Sequence, residues 1–282
     1  AAFERRIIMR SALSAAEMAR FRCDGLVVLP DQFSPAEVEA LSEALERLRR
    51  RGRDLQQTGV RDGALYVMQP SSTGPSIHRV VWCGAAEPEL AALGRDPRLL
   101  NPVGALLECT VVDQLINQAH FKDPQSGVEF PLHQDAWNRR YGTELWRDSS
   151  DDGAYIQLLL TIDPMTEDNG PLLYIPGSHR AGALLGDDRR ARVDAIAANT
   201  PPRPIIAPPG ALVLFGPFLV HGSAPNRSPQ SRRVMVNGYA RTGVNRRHYH
   251  GAAFGRRIKI DDSVEHSVAP VVLRDSSSQL RT

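Results

Sequence analysis

The chain has 282 residues, 42% hydrophobic and 23% charged, with a formal net charge of +2, and β-sandwiches and barrels commonly use that length as one domain with a sizeable core. These proportions exclude a disordered or fibrous chain, the small net charge implies no nucleic-acid partner, and no run approaches the roughly 18 uninterrupted apolar residues of a membrane helix. The opening AAFERRIIMR is too charged for a secretory signal, and Cys23, Cys83 and Cys109 lack the paired spacing of a zinc knot or disulfide framework, so a cytoplasmic protein with reduced cysteines is expected.

In chain order, SAAEMARFRCDGLVVLP predicts a short helix from Ser14 ended near Gly25, then a strand at Leu26 to Leu29. FSPAEVEALSEALERLRRRG carries a capping box, with Ser34 as N-cap, Pro35 at the first helical position and Glu37 three residues after the cap. Val38, Leu41, Leu45 and Leu48 lie on one stripe suited to packing against a sheet, and the arginine-rich end from Arg47 to Arg53 reads as a solvated face favoured by the helix dipole. Residues 53 to 80 are polar and turn-rich; DPRLLNPVGALLE predicts a further helix leading into the strand-like CTVVDQLINQAHF. Beyond it, the short runs AYIQLLLTI, PLLYI, GALVLF and RVMVNGYA are punctuated by Gly, Pro, Asn and Asp, as in a sandwich or barrel. The expectation is one domain over 1–282, mainly β with flanking helices: a helical part at about 12–107 and a β core at about 108–245.

FPLHQDAWNRRYG places His133 and Asp135 one residue apart. If residues 131 to 135 are extended, alternation sends both to one face and Gln134 to the other. A third ligand must come from another strand, and GALVLFGPFLVHGSAPNRSPQSRRVMV offers His221 at the end of an apolar run. Two imidazoles and a carboxylate form the facial triad of non-haem Fe(II) oxygenases, which leaves coordination positions for a bidentate co-substrate and dioxygen. Ala224 to Ser231 reads as a turn about Asn226 and Arg227 that brings Arg232 roughly opposite His221, about 5 Å away on the neighbouring strand. An arginine fork there can bind a carboxylate bidentately, with Ser223 adding a hydroxyl donor from the same face as His221.

HQD, NGPLLYIPGSHR and HGSAPNRSPQSRR, in that order, resemble the phytanoyl-CoA dioxygenase family over roughly residues 20 to 245. The resemblance implies a double-stranded β-helix (jelly roll, cupin-like), Fe(II) on His133, Asp135 and His221, and 2-oxoglutarate held at its distal carboxylate by Arg232 and Ser223. It places Gln114, in VVDQLINQ, at another 2-oxoglutarate contact. The implied reaction consumes 2-oxoglutarate and dioxygen and hydroxylates a C–H bond of a small metabolite or natural-product intermediate. Related halogenases carry a small residue where Asp135 stands, so a carboxylate there argues for oxidation without halide. Two rivals remain: a cupin-like metalloenzyme that uses no 2-oxoglutarate, which needs no arginine at position 232, and a non-catalytic jelly roll that binds a small molecule.

Past the iron ligands, Trp137, Arg139, Arg140, Tyr141, Trp146 and Arg147 lie on a polar segment suited to a pocket rim. Trp137 and Arg139 are the candidate contacts to the substrate, the arginine for an anionic group; the bland alternative pairs Arg139, Arg140 and Arg147 with Asp148, Asp151 and Asp152 on the surface. His179 reads as structural, His248 and His250 as surface residues, and Asp163, Glu167 and Asp168 as a solvated turn. His78, His120 and His266 carry no argument.

Overall fold

A computed structural model of the chain describes residues 13–71, 74–125, 127–148 and 150–260; the AAFERRIIMR stretch and His266 lie outside them. The first helix, α1 (Ala15–Asp24), starts at a capping box in which Ser14 Oγ accepts from Glu17 N and Glu17 Oε2 accepts from Ser14 N. It stops where Gly25 takes a φ of 86°, a left-handed conformation that glycine adopts without strain. The chain then enters β1 (Leu26–Leu29), as expected. The second helix, α2 (Pro35–Gly52), has the Ser34 box and buries Val38, Leu41, Leu45 and Leu48. Its basic end differs from the expectation. Arg47 and Arg51 both pair with Glu87, a buried carboxylate at 2.8 and 3.1 Å, because burying that charge unpaired would cost several kcal/mol.

Residues 53–80 are not an irregular connection but a meander of β2 (Gly59–Arg61), β3 (Ala64–Ser71) and β4 (Gly74–Val81). These strands are partly exposed, and only β3 carries an apolar run, Ala64 to Met68, so β2 and β4 owe their strand conformation to pairing with a neighbour more than to their own pattern. Two helices follow, α3 (Pro88–Leu93) and α4 (Pro97–Leu107), and then the long β5 (Val111–Lys122). The remainder supplies β6 (Phe130–His133), α5 (Asp135–Arg139), β7 (Tyr155–Thr161), β8 (Leu172–Tyr174), α6 (Arg189–Asn199), β9 (Arg203–Pro204), β10 (Leu212–Phe215), β11 (His221–Ser223), β12 (Arg232–Arg241) and β13 (Arg256–Lys259).

Two antiparallel sheets result. The larger runs β1-β10-β7-β12-β5-β4-β3-β2, with β13 also on β5, and the smaller runs β6-β11-β8-β9. One apolar layer packs Leu45, Leu48, Leu99 and Val103 of the helices against Phe121, Leu158 and Met235 of the large sheet. A second layer, which includes Leu159, Leu172, Val213 and Val236, fills the space between the sheets. This is the mainly β, double-stranded β-helix with flanking helices, and its open interior between the sheets is where the polar site lies. Among the described residues no helix is long and apolar enough to cross a membrane.

Candidate active site

His133 ends β6 and His221 opens β11, and the two are register partners across the antiparallel pair. Their rings stand 4.5 Å apart. Gly222 permits this approach, since a Cβ there would sit 2.5 Å from Phe130 O. Each imidazole is oriented from behind: His133 Nδ1 donates to Pro131 O at 2.8 Å and His221 Nδ1 to Leu219 O at 3.0 Å. A carbonyl only accepts, so both rings keep Nδ1–H and leave the Nε2 lone pair free, the arrangement typical of metal-binding histidines. Burial, and then the neighbouring His133, pull the His221 pKa down to about 4, which keeps that ring neutral near pH 7.

Asp135 reaches the same point by a different route from the one expected. The strand ends at His133, Gln134 remains extended (φ −109°, ψ 141°), and Asp135 is the first residue of α5. Gln134 does point away, and anchors the junction: its Nε2 donates to Gly182 O and Phe218 O, and its Oε1 accepts from Leu184 N. The Asp135 carboxylate is 3% exposed and its Oδ2 has no hydrogen-bond partner. Ligand atoms of His133, Asp135 and His221 all lie within 4.8 Å of one another. Two free imidazole nitrogens and an orphaned buried carboxylate oxygen fit the facial donor set of Fe(II).

The three residues border a cavity of about 610 Å³ that Arg232 and Ser223 also line. Arg232 is not a hairpin partner of His221, however. It opens β12 in the large sheet opposite Lys122, while His221 lies in the small sheet. The 224–231 segment crosses between sheets, pinned by Asn226, whose buried Nδ2 donates to Lys122 O, Asp123 O and Gln230 O. Arg232 is 5% exposed and, among the described residues, its side chain bonds only a carbonyl, Gly170 O at 3.1 and 2.6 Å. Burial pulls its pKa down to about 10, and the acid that acts on it, Asp163, is engaged by Arg233 at 2.7 Å. Ser223 Oγ is buried without a partner. An unneutralised buried guanidinium and an orphaned hydroxyl in one cavity fit a carboxylate ligand.

Gln114 does not meet its expectation. Ile116 pairs with Gly238 but Gln114 with Tyr239, so Leu115 is an extra residue in β5. This bulge reverses which face Gln114 presents. Its side chain is fully buried away from the cavity, with Nε2 donating to Asn237 Oδ1 at 2.9 Å and Oε1 accepting from Arg256. Gln118 and His120, beyond the bulge, line the cavity instead. The alternation of VVDQLINQAHF contains Gln118, but nothing local reveals the bulge.

Trp137 and Arg139 both line the cavity. Tyr141 and Trp146 are core residues stacked at 4.6 Å, and Asp148 and Asp152 pair with Arg241 rather than with the arginines before them. His179 is structural, bonding Arg22 O across to α1. His248 and His250 reach the cavity rim, and Arg79, Gln157, Arg247 and Tyr249 line it without having been singled out from the sequence. They come from two strands, β4 and β7, and the loop between β12 and β13, so no spacing in the chain announces them.

The family model for phytanoyl-CoA dioxygenase (PhyH) matches residues 21–234. The chain belongs to that family. It is 31% identical over 242 residues to the ectoine dioxygenase of Sphingopyxis alaskensis, covering 78% of this chain and 73% of that one. It is 26% identical over 246 residues to the L-proline trans-4-hydroxylase of Streptomyces griseoviridis, covering 79% and 84%. The crystal structure of EctD from S. alaskensis with bound Fe superposes with a TM-score of 0.66 at 26% identity, over 82% of this chain and 78% of that one. The protein is accordingly a non-haem Fe(II)- and 2-oxoglutarate-dependent dioxygenase that acts as a hydroxylase.

Proposed function

We propose that His133, Asp135 and His221 hold the iron, that Arg232 and Ser223 seat the distal carboxylate of 2-oxoglutarate, and that the dioxygenase hydroxylates a small molecule admitted to the same cavity. The observation that carries this reading is the convergence of the three ligand atoms within 4.8 Å on a cavity into which Arg232 brings an unpaired buried charge. When bound, the iron would supply the redox chemistry with dioxygen. The chain's own groups do the rest. Pro131 O and Leu219 O orient the imidazoles, Arg232 and Ser223 orient the co-substrate, and Phe215, Leu159 and Val236 contribute an apolar wall. A small-molecule substrate is supported by the volume of the cavity and by relatives that, by name, act on ectoine, L-proline and methylphosphonate.

The test is anaerobic loading with Fe(II) followed by titration of 2-oxoglutarate, then succinate formation under air with ascorbate. One iron per chain, saturable 2-oxoglutarate binding and slow succinate production are expected. Iron binding with no 2-oxoglutarate affinity would sink the assignment of Arg232 and favour a cupin-like metalloenzyme.

A further inference from the structure

The cavity holds more positive charge than iron and 2-oxoglutarate account for. Arg79, Arg139, Arg190, Arg232 and Arg247 line it, against one carboxylate, Asp135, which is assigned to the metal. Arg232 has a role at the co-substrate. Arg139 and Arg247 do not, and they are brought together on one aromatic ring: the Arg139 guanidinium lies 5.4 Å from the Tyr249 ring centroid and that of Arg247 5.1 Å.

Arg139 is 6% exposed. Its side-chain hydrogen bonds go to neutral oxygens, Tyr249 Oη at 3.3 Å, Tyr155 Oη at 3.0 Å and Gln157 Oε1 at 3.4 Å, and its Nε is buried with no partner. Arg247 donates from its guanidinium to a backbone carbonyl, Asn138 O. Neither forms an ion pair among the described residues. The acid nearest in sequence, Asp135, stands one helical turn before Arg139, and a bound iron would draw its charge away. Gathering two guanidinium groups in a half-enclosed site without a counter-ion is costly unless a ligand supplies one.

Resting on the function proposed above, we propose that the substrate carries an oxyanion, a carboxylate or a phosphonate, and that Arg139 and Arg247 bind it beside Tyr249. Gln157 and Tyr155 hold the buried guanidinium in place, so the anion meets a preformed donor array. Fixing the anion there sets which C–H bond of the substrate faces the metal.

The experiment uses the full chain, loaded anaerobically with Fe(II) and saturating 2-oxoglutarate so that Arg232 is occupied. Acetate, methylphosphonate and the neutral acetamide are titrated in, and binding is read by calorimetry and by the thermal midpoint. At least one anion is expected to bind and acetamide is not, and which anion binds identifies the group. Arg139→Met and Arg247→Met are each expected to weaken anion binding by about tenfold or more while retaining iron and 2-oxoglutarate affinity, and the exposed Arg203→Met is expected to change nothing. If Arg139→Met does not fold, the half-buried Arg247→Met carries the test. Equal binding of acetamide, or anion affinity that survives both cavity substitutions, would overturn the proposal. So would loss of iron in Arg139→Met with anion affinity intact, because Arg139 would then be a positioning residue for Asp135. Failure of the wild type to take up 2-oxoglutarate shows at the loading step and overturns the underlying reading, and this one with it.

Discussion

The roles proposed for Arg232 and His221 are separable because the two residues stand in different sheets with different partners. Arg232→Ala removes a charge-assisted pair and is expected to weaken 2-oxoglutarate binding by roughly 10- to 100-fold while iron is still bound. His221→Ala removes one of three donors and is expected to lose iron. Metal analysis and calorimetry on both variants distinguish these outcomes, and equal iron loss would refute the separation. Gln114 gives a second residue-scale test, since the resemblance places it at the co-substrate and the bulge at Leu115 turns it away. Gln114→Ala should cost about 1–3 kcal/mol of stability by stranding its partners, the buried Asn237 and the half-buried Arg256, with 2-oxoglutarate affinity unchanged. A loss of affinity greater than the loss of stability explains would restore the expected contact.

At the scale of elements, the proposed metal site depends on how closely β6 and β11 pack. Gly222 is extended backbone, so its value is space rather than conformational freedom: an added Cβ would meet Phe130 O at 2.5 Å and Leu132 N at 3.2 Å. Backbone cannot move aside as a flexible side chain can. Gly222→Ala is therefore expected to spread the strands, lower stability by about 1–3 kcal/mol and weaken iron binding, read by denaturant titration and metal affinity together. Unaltered iron affinity would show that the pair tolerates the methyl group. The junction of β6 with α5 shows how a local pattern can be right about a pair and wrong about its backbone. His-Gln-Asp does converge, with Gln134 turned away, yet Asp135 arrives as the first residue of a helix and not as the next outward position of a strand.

Across the whole molecule, the N-terminal strands are built into the same sheet as the catalytic region: β1 pairs with β10, and β4 with β5. The helical part and the β core are expected to unfold as one unit, so far-ultraviolet circular dichroism and the fluorescence of Trp82, Trp137 and Trp146 should give one coincident transition. Two separated transitions would divide the chain into domains. Acid sensitivity is also a property of the assembled fold. His78 has its pKa lowered to about 4 by burial and then by Arg79, Lys122 and Arg232, and His120 is likewise held well below its usual value, by burial and by Arg79, His78, Arg232 and Lys122. As the pH falls through 6.5 the unfolded chain takes up these protons and the native state does not, so the unfolded state binds more protons and stability falls towards pH 4. The denaturation midpoint of the metal-free protein should drop between pH 7 and 5. His78→Phe, which keeps an aromatic ring against Phe130, 4.8 Å between centroids, should flatten that dependence; a midpoint independent of pH over this range would contradict it.

Local chemistry was enough to specify much of this protein. Ser34, Pro35 and Glu37 start α2, Gly25 ends α1, and apolar runs bounded by turn residues form β7, β10 and β12, because each signal acts over a few residues and needs no partner to be read. What only the tertiary structure decided is everything that depends on which strands become neighbours. The meander over residues 59–81 is made by pairing with β5, the bulge at Leu115 exchanges Gln114 for Gln118, and the crossing at Asn226 sends Arg232 to the opposite sheet from His221. The same long-range pairing brings Arg139, Gln157, Tyr249 and Arg247 to the cavity, with Tyr155 bonded to Arg139. Strand order and register are set by summed burial over the whole sheet, a free energy that no short stretch of sequence contains.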